Sequence, residues 1–164
     1  MKTLFRAVAV VLAWTSICAW AGESVRIGDP WVRAAPPTVQ TLAGYMELEN
    51  TGSVDKIMTQ VQSPQFAKVE LHESVQNHDM VSMVPRKELV IAAGSKVSLK
   101  PGGYHLMLIA PKSPVTEGSK VALTLVFSDG MRQDVQATVR KSADDSPMQG
   151  HEGHGEHGQH HDMH

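Results

Sequence analysis

The feature that most constrains this chain is an alternation of apolar and polar residues with a period of two. It runs from residue 22 to residue 140, and Gly, Pro, Asn or Asp interrupts it at short intervals. A period of two places every second side chain on one face of an extended segment, so each segment reads as a half-buried strand. Residues 42–49 alternate and stop at Asn50-Thr51-Gly52; residues 69–72, 104–110 and 120–127 alternate likewise. Residues 133–140 close the series, with Val135, Ala137 and Val139 on one face. No segment carries a sustained helical stripe. Short strands separated by turn signals predict a single all-β domain, a sandwich or barrel, over residues 22–140. The prolines fit, because Pro36, Pro37, Pro64, Pro85, Pro101, Pro111 and Pro114 lie at the edges of apolar runs, where a missing N–H does little harm.

The two ends differ from this body. Lys2 and Arg6 precede an apolar run over residues 7–14, and Ala19-Trp20-Ala21 supplies the small-x-small pattern that signal peptidase requires. Residues 1–21 therefore read as a signal peptide, with cleavage before Gly22. The run is short for a bilayer span, which needs roughly 20 residues, so stable membrane insertion is not expected after processing. Cys18 raises the question of a lipid anchor, but Ile17 is bulky where a lipobox takes a small residue. Cleavage also removes the only cysteine, which leaves the mature chain without a disulfide or thiolate ligand. Lys2 and Arg6 leave with it, and the formal charge falls from −2 to −4, which gives no electrostatic reason to expect nucleic-acid binding.

Residues 141–164 are rich in Asp, Ser, Pro, Gly, Gln and His and nearly free of aliphatic side chains. Such a segment buries too little apolar surface to offset its ordering entropy and is expected to be disordered when metal-free. It carries His151, His154, His157, His160, His161 and His164, interleaved with Glu152, Glu156, Asp162 and several glycines. The glycines disfavour a preformed helical face, so the imidazoles offer flexible chelation suited to Cu(II), and also to Ni(II) or Zn(II). A solvating tail with incidental metal affinity is the plainer alternative.

Within the body the informative residues are His72, Met83, His105 and Met107. Thioether sulfur and imidazole nitrogen suit Cu(I), a soft closed-shell ion, whereas zinc, calcium and magnesium have little use for methionine. Singly, each residue has a duller explanation: a strand methionine usually fills a packing gap, and a lone surface histidine is usually solvated. Residues 22–140 hold only three histidines and six methionines, so sheer abundance does not account for the grouping. The strand pattern brings the four together. A hairpin turning at Asn77-His78 would set His72 opposite Met83 on one face and Leu71 opposite Val84 on the other. His105 and Met107, two apart in one strand, share a face while Leu106 and Leu108 point inward. Met46, Met58, Met80 and Met131 read as packing residues, although Met58 and Met80 could form a landing surface; His78 reads as an exposed turn residue.

The spacing H-x10-M-x21-H-x-M, at His72, Met83, His105 and Met107, resembles the signature of the PCuAC family of periplasmic copper chaperones. The resemblance runs from about Ile27 to Val139 and includes Pro30-Trp31-Val32-Arg33 and Tyr104-His105-Leu106-Met107. It implies a cupredoxin-like Greek-key β-sandwich with an exposed Cu(I) site. It further implies delivery of copper to the CuA-type centre, or other copper sites, of respiratory oxidases, with a Sco-type protein as a plausible partner. A blue-copper electron carrier is excluded, because that site needs a cysteine thiolate.

The expectation is thus a monomeric periplasmic chaperone that binds Cu(I) in the body and captures Cu(II) in the tail. The competing class is a metal buffer or store without a dedicated acceptor. An enzyme is the weakest reading, since the chain shows no triad, nucleotide loop or helical His-Glu pair.

Overall fold

The computed structural model describes residues 24–77 and 80–141, and the expected signal segment, His78 and the histidine-rich residues 151–164 lie outside them. Ten strands follow one another: β1 (Val25–Arg33), β2 (Thr41–Asn50), β3 (Lys56–Gln62), β4 (Phe66–Asn77), β5 (Met80–Arg86), β6 (Leu89–Ile91), β7 (Lys96–Leu99), β8 (Tyr104–Pro111), β9 (Lys120–Phe127) and β10 (Arg132–Arg140). No helix occurs among the described residues, as the period-two pattern requires.

The strands pair in the order β5-β4-β8-β7-β2-β1-β10-β9-β3-β6, with β8 also bonded directly to β2. One parallel junction joins the two halves, where Trp31, Val32 and Arg33 of β1 run beside Thr138, Val139 and Arg140 of β10. The halves then close on each other. Leu42 and Leu48 of β2 and Leu106 and Leu108 of β8 share a single buried cluster with Val121, Leu123, Leu125 and Phe127 of β9. A continuous core fed by both halves is that of a β-sandwich, with crossover connections of the Greek-key kind.

Local sequence explains how the strands are positioned. In β1 the register against β2 shifts between Gly28 and Trp31, and Asp29 takes a positive φ of 42°. This bulge re-aims the strand. Trp31 then stacks on Tyr45 with ring centroids 4.5 Å apart, and the Arg140 guanidinium lies 4.9 Å above the Trp31 ring while bonding the Asp29 carboxylate. At the end of β2, Asn50 is fully buried yet satisfied. Its amide donates to the carbonyls of Val54 and Ile91, and its oxygen accepts from the Gly52 N–H.

In β8, His105 and Met107 alternate with Leu106 and Leu108, which are 1 % and 0 % exposed. Leu108→Ala is expected to cost about 2–5 kcal/mol of stability, the range for emptying a closed aliphatic site. Equilibrium urea unfolding checks this, and a loss below about 1 kcal/mol would contradict a closed core beneath β8.

Candidate metal centre

The site forms on the face of β8 opposite Leu106 and Leu108. In the β4–β8 pair His72 stands opposite His105 and Glu70 opposite Met107; Ala43 of β2 flanks Met107 on the other side. The hairpin register differs from the sequence expectation. Asn77 pairs with Met80, so Ser74 rather than His72 faces Met83, and His72 faces Pro85. Likewise Leu71 faces Arg86, and Val84 faces Glu73. The connection between the strands is residues 78–79, one position later than an Asn77-His78 turn. Moving the turn by one residue moves each partner by two, so every side chain keeps its face. Met83 therefore remains on the side of His72, as its diagonal neighbour, about 7–8 Å away and within reach of a long side chain.

The two imidazole rings lie 6.0 Å apart, centroid to centroid, and are inclined by 41°. With a metal–nitrogen bond of about 2.0 Å and a ring radius of about 1.2 Å, centroids up to ~6.4 Å apart can share one ion. Both rings have one nitrogen engaged. The His72 Nε2 is 2.9 Å from Glu70 Oε2, and the His105 Nδ1 is 3.0 Å from the Gly103 carbonyl. A carboxylate and a carbonyl only accept, so these nitrogens carry the hydrogens. The lone pairs then reside on His72 Nδ1 and His105 Nε2, which are both buried and without a hydrogen-bond partner. A buried, unpartnered lone pair is costly to keep, and a metal ion is the partner it suits.

The Gly103 carbonyl is aimed by a tight turn. Gly103 N–H donates to the Lys100 carbonyl at 3.0 Å, with Pro101 and Gly102 at the central positions and Gly102 at φ +80°. Proline followed by a residue of positive φ is a type II signature, and here only glycine takes that φ without strain. The same carbonyl receives the Ser74 N–H at 3.1 Å, which ties the turn to β4.

Met83, His105 and Met107 line a cleft of about 400 Å³ together with Ser74, Tyr45 and Arg33. Burial keeps the Tyr45 phenol above its ordinary pKa, against the opposing pull of Arg33. Glu70 bonds both Lys68 and His72, and these contacts, Lys68 first, hold its carboxyl below the usual carboxylate range. The donors are unequally covered. The His105 residue is 5 % and the His72 side chain 12 % exposed, whereas Met83 is 60 % exposed. The histidines are thus on the outward sheet face but shielded from water. The remaining methionines sort by packing: Met46 and Met58 are core, Met131 packs against it, and Met80 is exposed, which removes Met58 from any landing surface.

Sequence reasoning missed Glu70 and Gly103. Glu70 lies two residues before His72, the same-face position in β4, and that periodicity was the available signal; Gly103 precedes β8 and acts through its backbone carbonyl, for which the Pro101-Gly102 turn was the available cue. The six tail histidines and His78 lie outside the described residues.

The family profile described as "Putative lipoprotein LpqE-like" matches residues 25–139. A putative lipoprotein of Leifsonia xyli, Lxx21020, is 34 % identical over 119 residues, covering 72 % of this chain and 70 % of the relative. An uncharacterized protein of Rickettsia prowazekii, RP573, is 28 % identical over 134 residues, covering 77 % and 71 %. Among solved structures, a copper-bound PCuAC domain from PmoF2 superposes with a TM-score of 0.63 at 23 % identity, covering 73 % of this chain and 94 % of that one. The solution structure of Cu(I)-DR1885 from Deinococcus radiodurans gives 0.60 at 31 % identity, covering 75 % and 82 %. The fold is cupredoxin-like and all-β. The chain belongs to the LpqE-like family, which is the PCuAC family.

Exposure predicts the order of chemical oxidation in the metal-free protein. Peroxide treatment followed by peptide mass spectrometry should convert Met80 and Met83 to sulfoxides well before Met46 and Met58, since exposed thioethers react first. Equal rates would contradict the packing described for the hairpin and the core.

Proposed function

We propose that this protein is an exported copper chaperone that holds Cu(I) with His72, His105, Met83 and Met107 and passes it to a copper-accepting protein. The observation that carries the reading is the pair of buried lone pairs, His72 Nδ1 and His105 Nε2, on adjacent strands with a thioether to either side. Two imidazoles and two thioethers form a charge-neutral, soft donor set that favours Cu(I) over harder divalent ions. The copper-bound PmoF2 domain and Cu(I)-DR1885 support copper as the cargo.

Unequal burial suits transfer. The histidines hold the ion out of water, while Met83, on the edge strand β5, is the donor an incoming protein reaches first. Ligand-by-ligand exchange then starts at Met83 and ends at the histidines. The acceptor in this scheme is the CuA-type centre of a respiratory oxidase subunit, with a Sco-type protein as a cooperating partner. Export through residues 1–21 puts the domain in the periplasm, and the relatives named as lipoproteins support an exported class. In this scheme the tail, with His151, His154, His157, His160, His161 and His164, gathers Cu(II); an external reductant supplies the electron, because the mature chain has no cysteine.

His105→Ala or Met107→Ala should weaken Cu(I) binding by more than the roughly 10–100-fold typical of losing an outer-shell partner. The far-ultraviolet β spectrum should stay unchanged. Competition against a chromophoric Cu(I) chelator measures the first, and loss of folding instead would assign these side chains to the core. Truncation after Arg140 should abolish a Cu(II)-type equivalent while sparing Cu(I), as followed by electron paramagnetic resonance. Retention of both would discard the tail's role. Mixing Cu(I)-loaded protein with the apo soluble domain of oxidase subunit II separates transfer from storage. The ion is expected to move, and its failure to reach that or any other exported copper protein would favour a buffer.

A further inference from the structure

The proposed ligands do not explain why His72 presents Nδ1 and not Nε2. In free neutral histidine both tautomers are populated, with Nε2–H only modestly favoured, so a single tautomer and a single ring rotation must be selected by the surroundings. Glu70 makes the selection. It lies two residues before His72 on the same strand face, and its Oε2 accepts from Nε2 at 2.9 Å. Its other oxygen bonds the Lys68 ammonium, which holds the carboxylate in place. His72 is thereby fixed twice, in tautomer and in ring rotation, with Nδ1 left buried and unpartnered.

We infer that Glu70 is a positioning residue for metal binding: its carboxylate locks His72 as the Nε2–H tautomer and so aims the Nδ1 lone pair at the ion. The inference deepens the copper-binding reading above and rests on it for the identity of the ion, but the lock itself is a property of the metal-free protein. It also gives the two histidines different kinds of support. His105 is locked by a backbone carbonyl, Gly103, which substitution of a side chain does not remove. His72 is locked by a side chain, which substitution does remove. A hydrogen bond from a ligand histidine to a carboxylate fixes the ring and raises its basicity, and losing such a partner typically costs about 10–100-fold in metal affinity.

Glu70→Gln and Glu70→Ala separate positioning from charge. The glutamine keeps an accepting oxygen but carries no charge; the alanine keeps neither. Long-range ¹H–¹⁵N NMR of the metal-free proteins reads the tautomer directly. Wild type and Glu70→Gln should show His72 hydrogen-bearing at Nε2, while Glu70→Ala should show mixed tautomers for His72 and an unchanged Nδ1–H tautomer for His105. Cu(I) affinity by chelator competition should fall about 10–100-fold in Glu70→Ala and recover most of that in Glu70→Gln. An unchanged His72 tautomer in Glu70→Ala would overturn the lock. So would a Glu70→Gln protein that keeps the tautomer yet binds as weakly as Glu70→Ala, because charge would then be the operative property. Wild type with the expected tautomer but no uptake of Cu(I) would support the lock and overturn the function proposed above.

Discussion

The antiparallel register of β4 on β8 sets His72 opposite His105, and the rest of the site follows from that pairing. A slip of β4 by one residue would turn His72 to the other face, away from His105, which β2 holds in place through its own pairing with β8, because the side-chain period of a strand is two. Packing on the opposite face opposes that slip. Leu71 stands opposite Leu106 and Val69 opposite Leu108, and the two β8 leucines are almost fully buried in the common core. The hydrophobic effect thus acts at a distance of one residue from each donor. It fixes the polar face by filling the apolar one.

On that frame, hydrogen bonds decide which atoms are available for bonding. Two acceptors, a backbone carbonyl at the Pro101-Gly102 turn and a carboxylate two residues before His72, each take an imidazole N–H. The nitrogens left over are enclosed by protein. Met83 stands at the outer margin on an edge strand, and Met107 lies inward beside Ala43. Exposure thus rises across one sheet face from covered nitrogen to exposed sulfur, the gradient on which the proposed transfer rests.

Much of this was legible in the sequence, for a specific physical reason. Alternation in residues 104–110 and 120–127 reads directly as one buried and one outward face, and β8 and β9 follow it. The four candidate donors stood out because their chemistry is unusual, and their parity puts them on one face. The hairpin register was not legible, since Asn77-His78 and residues 78–79 both suit a two-residue turn and local pattern does not choose between them. The error left the face assignment intact because it moved partners by an even number. Coverage of the histidines was not legible either. His105 is buried on β8 between β4 and β2, the strands paired to either side, and that placement is a tertiary fact absent from a strand's own alternation.

The closest test of the central claim is X-ray absorption at the copper edge of the Cu(I)-loaded protein, which counts the atoms bonded to the ion. The account predicts two nitrogen scatterers with the multiple-scattering pattern of imidazole and two sulfur scatterers. A shell of nitrogen and oxygen alone, or one containing sulfur without imidazole, would contradict it.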